Sequence, residues 1–416
     1  MSHLKDRKNK ELLIITQVYV PDPASVGQHM ADVAEEMAER GWSVTVITAD
    51  RGYDEPGEQF LRREMLNGVD VQRLRWSSLG KKTILHRLVG QISFSLQALG
   101  RALVMKRPDA ILVTTSPPMG GVVGWLASSL RQVPLTFWTM DLNPDQAVEQ
   151  GLVSERNLLV RVFDWFNRRL LRRAAAVVAL DRFMAERLER KAPIGNRLHI
   201  MPPWPMEGQI ERVEHDANPF RQKHGLEGKF VVMYSGNHSP VHPLDTILEA
   251  SRAFRDNDRV RFLFIGGGKG KDAVEDFIAQ EEPPNVISLP YQPLDQIKYS
   301  LSAADIHLVS MGEAMVGCVH PCKFYGALAL GKPILALGSA RSHIGDILAE
   351  HQVGWRIDHQ DVDGAVRLLQ QCLSAEADEL RAPGATGRQL IKERLSKDIL
   401  CGRFCDTIES TCTAHA

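Results

Sequence analysis

The run His320-Pro-Cys-Lys-Phe-Tyr-Gly-Ala-Leu-Ala-Leu-Gly-Lys-Pro-Ile-Leu-Ala-Leu-Gly338 decides how the chain is read. A turn carrying an imidazole and an ammonium leads into a short apolar helix. Gly331-Lys-Pro333 stops that helix, since proline removes a backbone donor and fixes φ, and a buried strand, Ile334 to Leu337, follows. Helix starts carry unsatisfied N–H groups and partial positive charge, so Lys323 beside one marks a seat for a diphosphate.

Upstream, the same alternation repeats. Phe230 to Ser235, Val260 to Ile265, Val286 to Leu289 and Ile306 to Ser310 are near-continuously apolar, as strands covered on both faces must be, with helices between them. The N-terminal half does likewise. Leu12 to Val18 is a strand; Met30, Val33, Ala34, Met37 and Ala38 recur at helical spacing; Gly41 ends that helix, and Trp42 to Thr48 is the next strand. Ala110 to Thr114, Leu135 to Thr139 and Ala175 to Leu180 continue the series. Pro202-Pro-Trp-Pro205 and the polar stretch Glu207 to Asn218 interrupt it, as an interdomain linker does. The expected architecture is therefore α/β: two Rossmann-like, doubly wound parallel-sheet domains facing a cleft. The first is expected over 1–204, the linker over 205–228, the second over 229–384 and a helical tail over 385–416. Ligands of open α/β sheets bind at the carboxyl ends of the strands.

Composition narrows the class. A chain of 416 residues exceeds one comfortable core. Its 50 basic residues nearly cancel 51 acidic ones, which argues against a nucleic-acid partner. Six cysteines without a close CxxC pair fit a reduced, cytoplasmic setting. Lys5 to Lys10 before Leu12 to Val20 mimics a signal peptide, but the Pro/Gly loop and amphipathic helix that follow favour a first buried strand. No apolar run reaches the roughly eighteen residues of a spanning helix.

Several motifs carry a functional and an ordinary reading side by side. Gly236-Asn-His-Ser-Pro-Val-His242 joins a strand to the helical stretch Leu244 to Phe254, as a ligand loop or a plain connection. Gly266-Gly-Gly-Lys-Gly270 lacks the spacing of a dinucleotide or Walker loop; close phosphate approach and simple turn flexibility both explain it. Pro21 to His29 contains Gly27, which either presents N–H groups to a ligand or belongs to a capped helix start. Phe137-Trp-Thr-Met-Asp141-Leu-Asn-Pro-Asp145 places carboxylates past a buried strand, as catalytic acids or helix caps. Cys318-Val-His320-Pro-Cys322 has poor spacing for a tetrahedral metal site, and no metal is expected. Residues 156–173 and 81–106 are basic and amphipathic: peripheral membrane contact stands beside an ordinary surface-helix role.

The joint order of these motifs resembles, over nearly the whole length, the retaining GT-B glycosyltransferases of family four, especially bacterial enzymes of exopolysaccharide, O-antigen and colanic-acid assembly. The resemblance rests on Glu39 to Thr48, Asp141 to Asp145, Met201-Pro-Pro-Trp204, Tyr234-Ser-Gly-Asn237, Phe264-Ile-Gly-Gly-Gly268, Pro321 to Tyr325 and Gly331-Lys-Pro333. It implies a nucleotide-sugar donor, UDP- or GDP-linked, on the C-terminal domain and a hydroxyl acceptor, a lipid-linked glycan, on the N-terminal one. By that resemblance Lys323 contacts the donor diphosphate, so no metal or other cofactor is required. Asp141 sits near the acceptor hydroxyl, and Gly27 approaches donor phosphate or acceptor. Pro290 and Tyr291 match the turn that holds the base. Asp141, Lys323 and His320 are the catalytic candidates. Gly27, Gly236, Asn237, His238, His242, Gly267, Gly268, Pro290, Tyr291, Lys323 and Tyr325 are those for nucleotide-sugar binding.

Departures accompany the resemblance. Two glutamates usual before the Gly-x-Pro are replaced by Cys318 and Gly326, and a basic residue usual after Gly236 by Val241 and His242. Either His238, His242 and His320 substitute as a partly charged donor set, or donor affinity is low. A sugar-nucleotide epimerase of the same fold and a non-catalytic nucleotide-binding scaffold of a polysaccharide assembly complex are the alternatives. The setting implied is the cytoplasm, at the inner face of the cytoplasmic membrane.

Overall fold

The structure is a computed structural model that describes residues 10–52, 57–77, 84–206 and 211–413. The chain divides into two compact units. One comprises Met1–Pro202, Gly317–Val319 and Asp398–Ala416; the other comprises Pro203–Val316 and His320–Lys397.

The first unit is built on a sheet of eight strands: β1 (Glu11–Ile15), β2 (Ser43–Ala49), β3 (Arg63–Leu66), β4 (Val69–Leu74), β5 (Ala110–Thr114), β6 (Leu135–Trp138), β7 (Ala176–Ala179) and β8 (Leu198–Ile200). Their order is β3-β4-β2-β1-β5-β6-β7-β8, all parallel except β3. Central β1 is fully buried from Leu12 to Ile15, which is why it reads as an unbroken apolar run. The β3–β4 hairpin turns at Asn67 and Gly68, both at positive φ (48° and 83°). An Asn-Gly pair suits that geometry, and was the one local signal for these two unforeseen strands.

Crossover direction sorts the helices. The chain leaves β1 for β2 on one side, and leaves β4, β5 and β6 for β5, β6 and β7 on the other. Right-handed crossovers then set helix Ser25–Glu39 on one sheet face, and helices Ile84–Val104, Gly120–Arg131 and Leu158–Arg173 on the opposite face. Helix Lys397–Thr413 covers the Ser25–Glu39 side. Arg40 donates to Asp406 (2.7 Å) and Glu409 (3.1 Å), and Phe404 packs 4.5 Å from the Trp138 ring.

The second unit carries β9 (Phe230–Ser235), β10 (Val260–Ile265), β11 (Val286–Leu289), β12 (Ile306–Ser310), β13 (Ile334–Leu337) and β14 (Gly354–Ile357), in the order β11-β10-β9-β12-β13-β14, all parallel. Alternate residues serve two core faces. Val232, Tyr234, Phe262 and Phe264 pack on one side, and Val231, Met233, Leu263 and Ile265 on the other. The winding reverses between β9 and β12, the position at which doubly wound sheets leave a crevice.

Two boundaries differ from the sequence reading. Residues 211–228, expected within the linker, fold onto the second unit: Phe220 and Arg221 are buried, and the Arg221 guanidinium donates to the carbonyls of Ala303, Leu226 and Lys229. Polarity misled there, because the arginine is spent on backbone oxygens rather than water. Residues 207–210 of that linker and the signal-like 1–9 lie outside the described residues. The expected tail, 385–416, is divided, since residues up to Lys397 belong to the second unit and Asp398 onward to the first.

Candidate active site

The chain leaves β9 at Gly236, whose φ of 125° lies where side chains are strained. A Cβ there would stand 2.5 Å from Lys323 Cε, so glycine lets the lysine stem lie against the loop. The loop after β10 presses on the same place: a Cβ on Gly266 would meet the Gly236 carbonyl at 2.0 Å, and one on Gly268 the Asn237 Oδ1 at 2.3 Å. The His238 N–H donates to the Gly267 carbonyl (2.8 Å), and Lys271 Nζ donates to the carbonyls of Gly266 (2.7 Å) and Leu289 (2.6 Å). Tyr291, just past β11, donates to the Gly267 carbonyl at 3.2 Å. These contacts gather the carboxyl ends of β9, β10 and β11 into one backbone platform.

Lys323 opens the seven-residue helix Lys323–Ala329, which Gly331 ends at φ 68°. Its ammonium lies 4.4 Å from the centre of the Tyr234 ring and donates to Tyr234 Oη (2.6 Å) and to the Asn237 carbonyl (2.8 Å). Tyr234 is buried, and its hydroxyl donates in turn to Asn237 O at 2.9 Å. The lysine as a whole is only half-buried, but its charged end is enclosed; that enclosure pushes the ammonium down to about 7. An enclosed cation held by two neutral oxygens has more to gain from an anionic oxygen than either partner supplies.

Two imidazoles flank this point. His238 Nδ1 donates to the Gly236 carbonyl (3.0 Å) and His242 Nδ1 to the Ser310 carbonyl at the end of β12 (2.6 Å). A carbonyl only accepts, so each Nδ1 carries the proton and each neutral ring offers an Nε2 lone pair. Burial, helped by the Lys323 charge, lowers His238 to about 4 and His242 to about 3. Desolvation thus keeps these two rings neutral near pH 7, so His238 and His242 do not supply the partial charge that one of the two alternatives from sequence assigned to them.

His320 is buried, and its Nε2 meets the Tyr325 hydroxyl at 2.7 Å, which in turn meets His343 Nε2 at 2.8 Å. One hydroxyl proton serves two rings, so the phenol donates to one and accepts from the other. Beside Lys323 lies a cavity of about 290 Å³, lined among others by Gly236, Ile265, Tyr291, Leu308, Gly326 and Lys323. Its walls are mostly apolar with a few polar groups, Tyr291, Gln292 and Lys323 among them, the composition of a small-molecule pocket.

Gly236, Asn237, His238, His242, Gly267, Gly268, Tyr291 and Lys323 therefore form one cluster in the second unit. Pro290 adjoins it in sequence, and Tyr325 and His320 belong to the neighbouring relay. Gly27 and Asp141 belong to the first unit. The Gly27 Cα side faces Tyr19, where a Cβ would stand 3.1 Å from Tyr19 Cα, so helix packing accounts for the glycine. Asp141 is exposed after β6, and its N–H donates to Thr115 Oγ1 at 3.2 Å. The N-cap of helix Asp145–Glu149 is Pro144, and Asp145 pairs with Lys191 at 2.9 Å. Sequence reasoning missed Tyr234, Lys271 and His343. Tyr234 stood within the quoted Tyr-Ser-Gly-Asn run, but its period-2 position reads as core, and its hydroxyl's role appears only once Lys323 is folded against it.

Two α/β units, each on a largely parallel sheet, are the architecture of the GT-B fold. Residues 25–204 match the glycosyl transferase 4-like domain and residues 216–389 match the glycosyl transferases group 1 domain. The chain thus carries the two domains of a GT-B glycosyltransferase, one 4-like and one of group 1. WbjE of Pseudomonas aeruginosa, named as a glycosyltransferase, is 25% identical over 81% of this chain and 83% of its own length. WcaI of Escherichia coli (strain K12), named as a colanic acid biosynthesis glycosyl transferase, is 23% identical over 94% of this chain and 98% of its own. Among solved structures, sucrose-phosphate synthase from Thermosynechococcus elongatus superposes with a TM-score of 0.77 at 15% identity, covering 98% of this chain and all of that one. Anabaena HepE, solved with UDP-glucose, gives 0.68 at 15% identity, covering 96% and 99%.

Proposed function

We propose that this glycosyltransferase of polysaccharide biosynthesis takes its sugar from a nucleoside diphosphate donor seated on the second unit. We further propose that it passes the sugar, with retention, to a hydroxyl of a lipid-linked glycan at the inner face of the cytoplasmic membrane. The carrying observation is the enclosed Lys323 ammonium, held by neutral oxygens beside an apolar cavity at the β9/β12 switch point. In this reading the nucleoside enters the cavity along Tyr291, and the diphosphate displaces or joins Tyr234 and Asn237 at the ammonium. Negative charge growing on the departing diphosphate is met by Lys323, so the transfer proceeds without a resident metal. Neutral His238 and His242 act as hydrogen-bond acceptors through Nε2 toward sugar or ribose hydroxyls. Gly326 lines the cavity at a position where the resemblance implies a glutamate, which leaves contact with the nucleoside hydroxyls to other groups. Support for a uridine donor comes from HepE, and for a polysaccharide product from the name of WcaI.

A thermal-shift panel of UDP-, GDP- and ADP-sugars tests the reading, because a ligand that binds only the native state raises Tm. One nucleotide series should raise Tm by several degrees, with chelator present and absent alike. No shift with any of them at millimolar concentration contradicts donor binding.

A further inference from the structure

Helices Ile84–Val104, Gly120–Arg131 and Leu158–Arg173 lie side by side on one face of the eight-stranded sheet, each packed on the next. Their inner sides make core contacts through Phe94, Ala98 and Leu170. Their outer sides are unlike the rest of the surface. Of the sixteen large apolar side chains exposed among the described residues, ten are on these three helices. On the first, Leu88, Ile92 and Leu96 recur every four residues, so they share one stripe. On the third, Leu158 (71% exposed), Val162 and Trp165 (46%) recur at i, i+4 and i+7, and Arg169 continues that stripe with its guanidinium 4.9 Å over the Trp165 ring. The Trp165 ring also meets Trp125 of the middle helix edge-on at 6.2 Å, so the second and third helices present a joined surface.

Charge is as lopsided as polarity. The third helix holds five arginines, the first two and the middle one; the only carboxylate in all three is Asp164. That carboxylate is already engaged by Arg168 and Lys191. An ordinary surface helix mixes signs and shows few large apolar side chains. An apolar layer with indole at its edge and arginines around it matches a bilayer surface with anionic headgroups.

We propose that the outer face of this three-helix layer docks on an anionic lipid bilayer. Apolar side chains of the Leu158 and Leu88 stripes enter the headgroup boundary, Trp165 sits at that boundary, and Arg169 and Arg172 bind lipid phosphates. The inner-face setting proposed above thereby acquires a physical surface, and its test is separate: lipid binding is read without donor or transfer.

Flotation of the full chain with vesicles of phosphatidylcholine alone, and of phosphatidylcholine with 30% phosphatidylglycerol, decides the matter (composition chosen to give roughly the charge of a bacterial inner leaflet). The expected result is binding to the anionic vesicles that falls at least about tenfold in 0.5 M salt or on neutral vesicles, as screening requires. Leu158→Asp with Val162→Asp, and separately Arg169→Glu with Arg172→Glu, should each abolish flotation. Both pairs are on the exposed stripe, so melting curves should stay at the parental Tm. No flotation by the parent, or flotation unchanged in both variants, overturns the proposal. A lipid-free dimer, measured by light scattering, that Leu158→Asp with Val162→Asp converts to monomer also overturns it, since the face then belongs to a second copy.

Discussion

At Lys323 the chemistry turns on where a proton sits. Enclosure lowers its pKa to about 7, whereas an unfolded lysine titrates near ~10.4. Between those values the unfolded chain binds more protons, so this residue makes stability rise with pH from about 7 toward ~10.4; below 7 its burial cost is fully present. Donor binding runs the opposite way. A diphosphate favours the charged form and raises the pKa, so binding draws a proton from solution above pH 7. Affinity for the donor nucleotide is predicted to be level below about pH 6.5 and to fall by up to roughly tenfold per unit above about 7.5. Calorimetry in buffers of different ionisation enthalpy checks this through proton uptake. Affinity flat from pH 6 to 9 would show that the ammonium takes no part. None of this was legible in sequence. Lys323 was visible as a cation beside a helix start, but its titration depends on Tyr234 and Asn237, which are more than eighty residues away along the chain.

Elements bring those distant residues together, and glycines set how closely. The loops after β9 and β10 touch through Gly236 and Gly266, where any Cβ would collide with Lys323 or with backbone. Gly236→Ala adds both that overlap and a strained positive φ, and is predicted to destabilise the chain by about 1–3 kcal/mol. Because the lysine stem must move, donor affinity should fall as well. Denaturant titration and donor binding read the two effects; a variant with parental stability and affinity would mean that the loops have slack. Strand recognition succeeded where burial on both faces left near-continuous apolar runs, as in Phe230–Ser235 and Ile334–Leu337, whose bounds the sequence reading matched. It failed where burial is partial: β14 is only half-buried along its length, β3 is largely exposed and β4 alternates buried with half-buried residues, so none of them carries a continuous apolar run.

On the scale of the whole molecule, two α/β units follow from patterning, and the family matches agree with that reading, whereas the order of the strands within each sheet is seen only in the structure. The division of the C-terminal segment did not follow. Phe404 and Cys405 are buried in the first unit, and the neighbouring Asp406 finds its partner Arg40 366 residues away; helical periodicity alone does not say which core such a face will join. The account's central claim is that one ammonium in the second unit holds the donor diphosphate. Isothermal titration of UDP-glucose and UDP, then the guanosine and adenosine equivalents, into the parent chain and Lys323→Ala at pH 6.5 tests it most directly. Loss of a charge-assisted contact of about 2 kcal/mol or more predicts at least a roughly 30-fold weaker Kd for the nucleotide that the parent binds, with Tm held or raised by removal of a buried charge. An unchanged Kd in Lys323→Ala would contradict the claim.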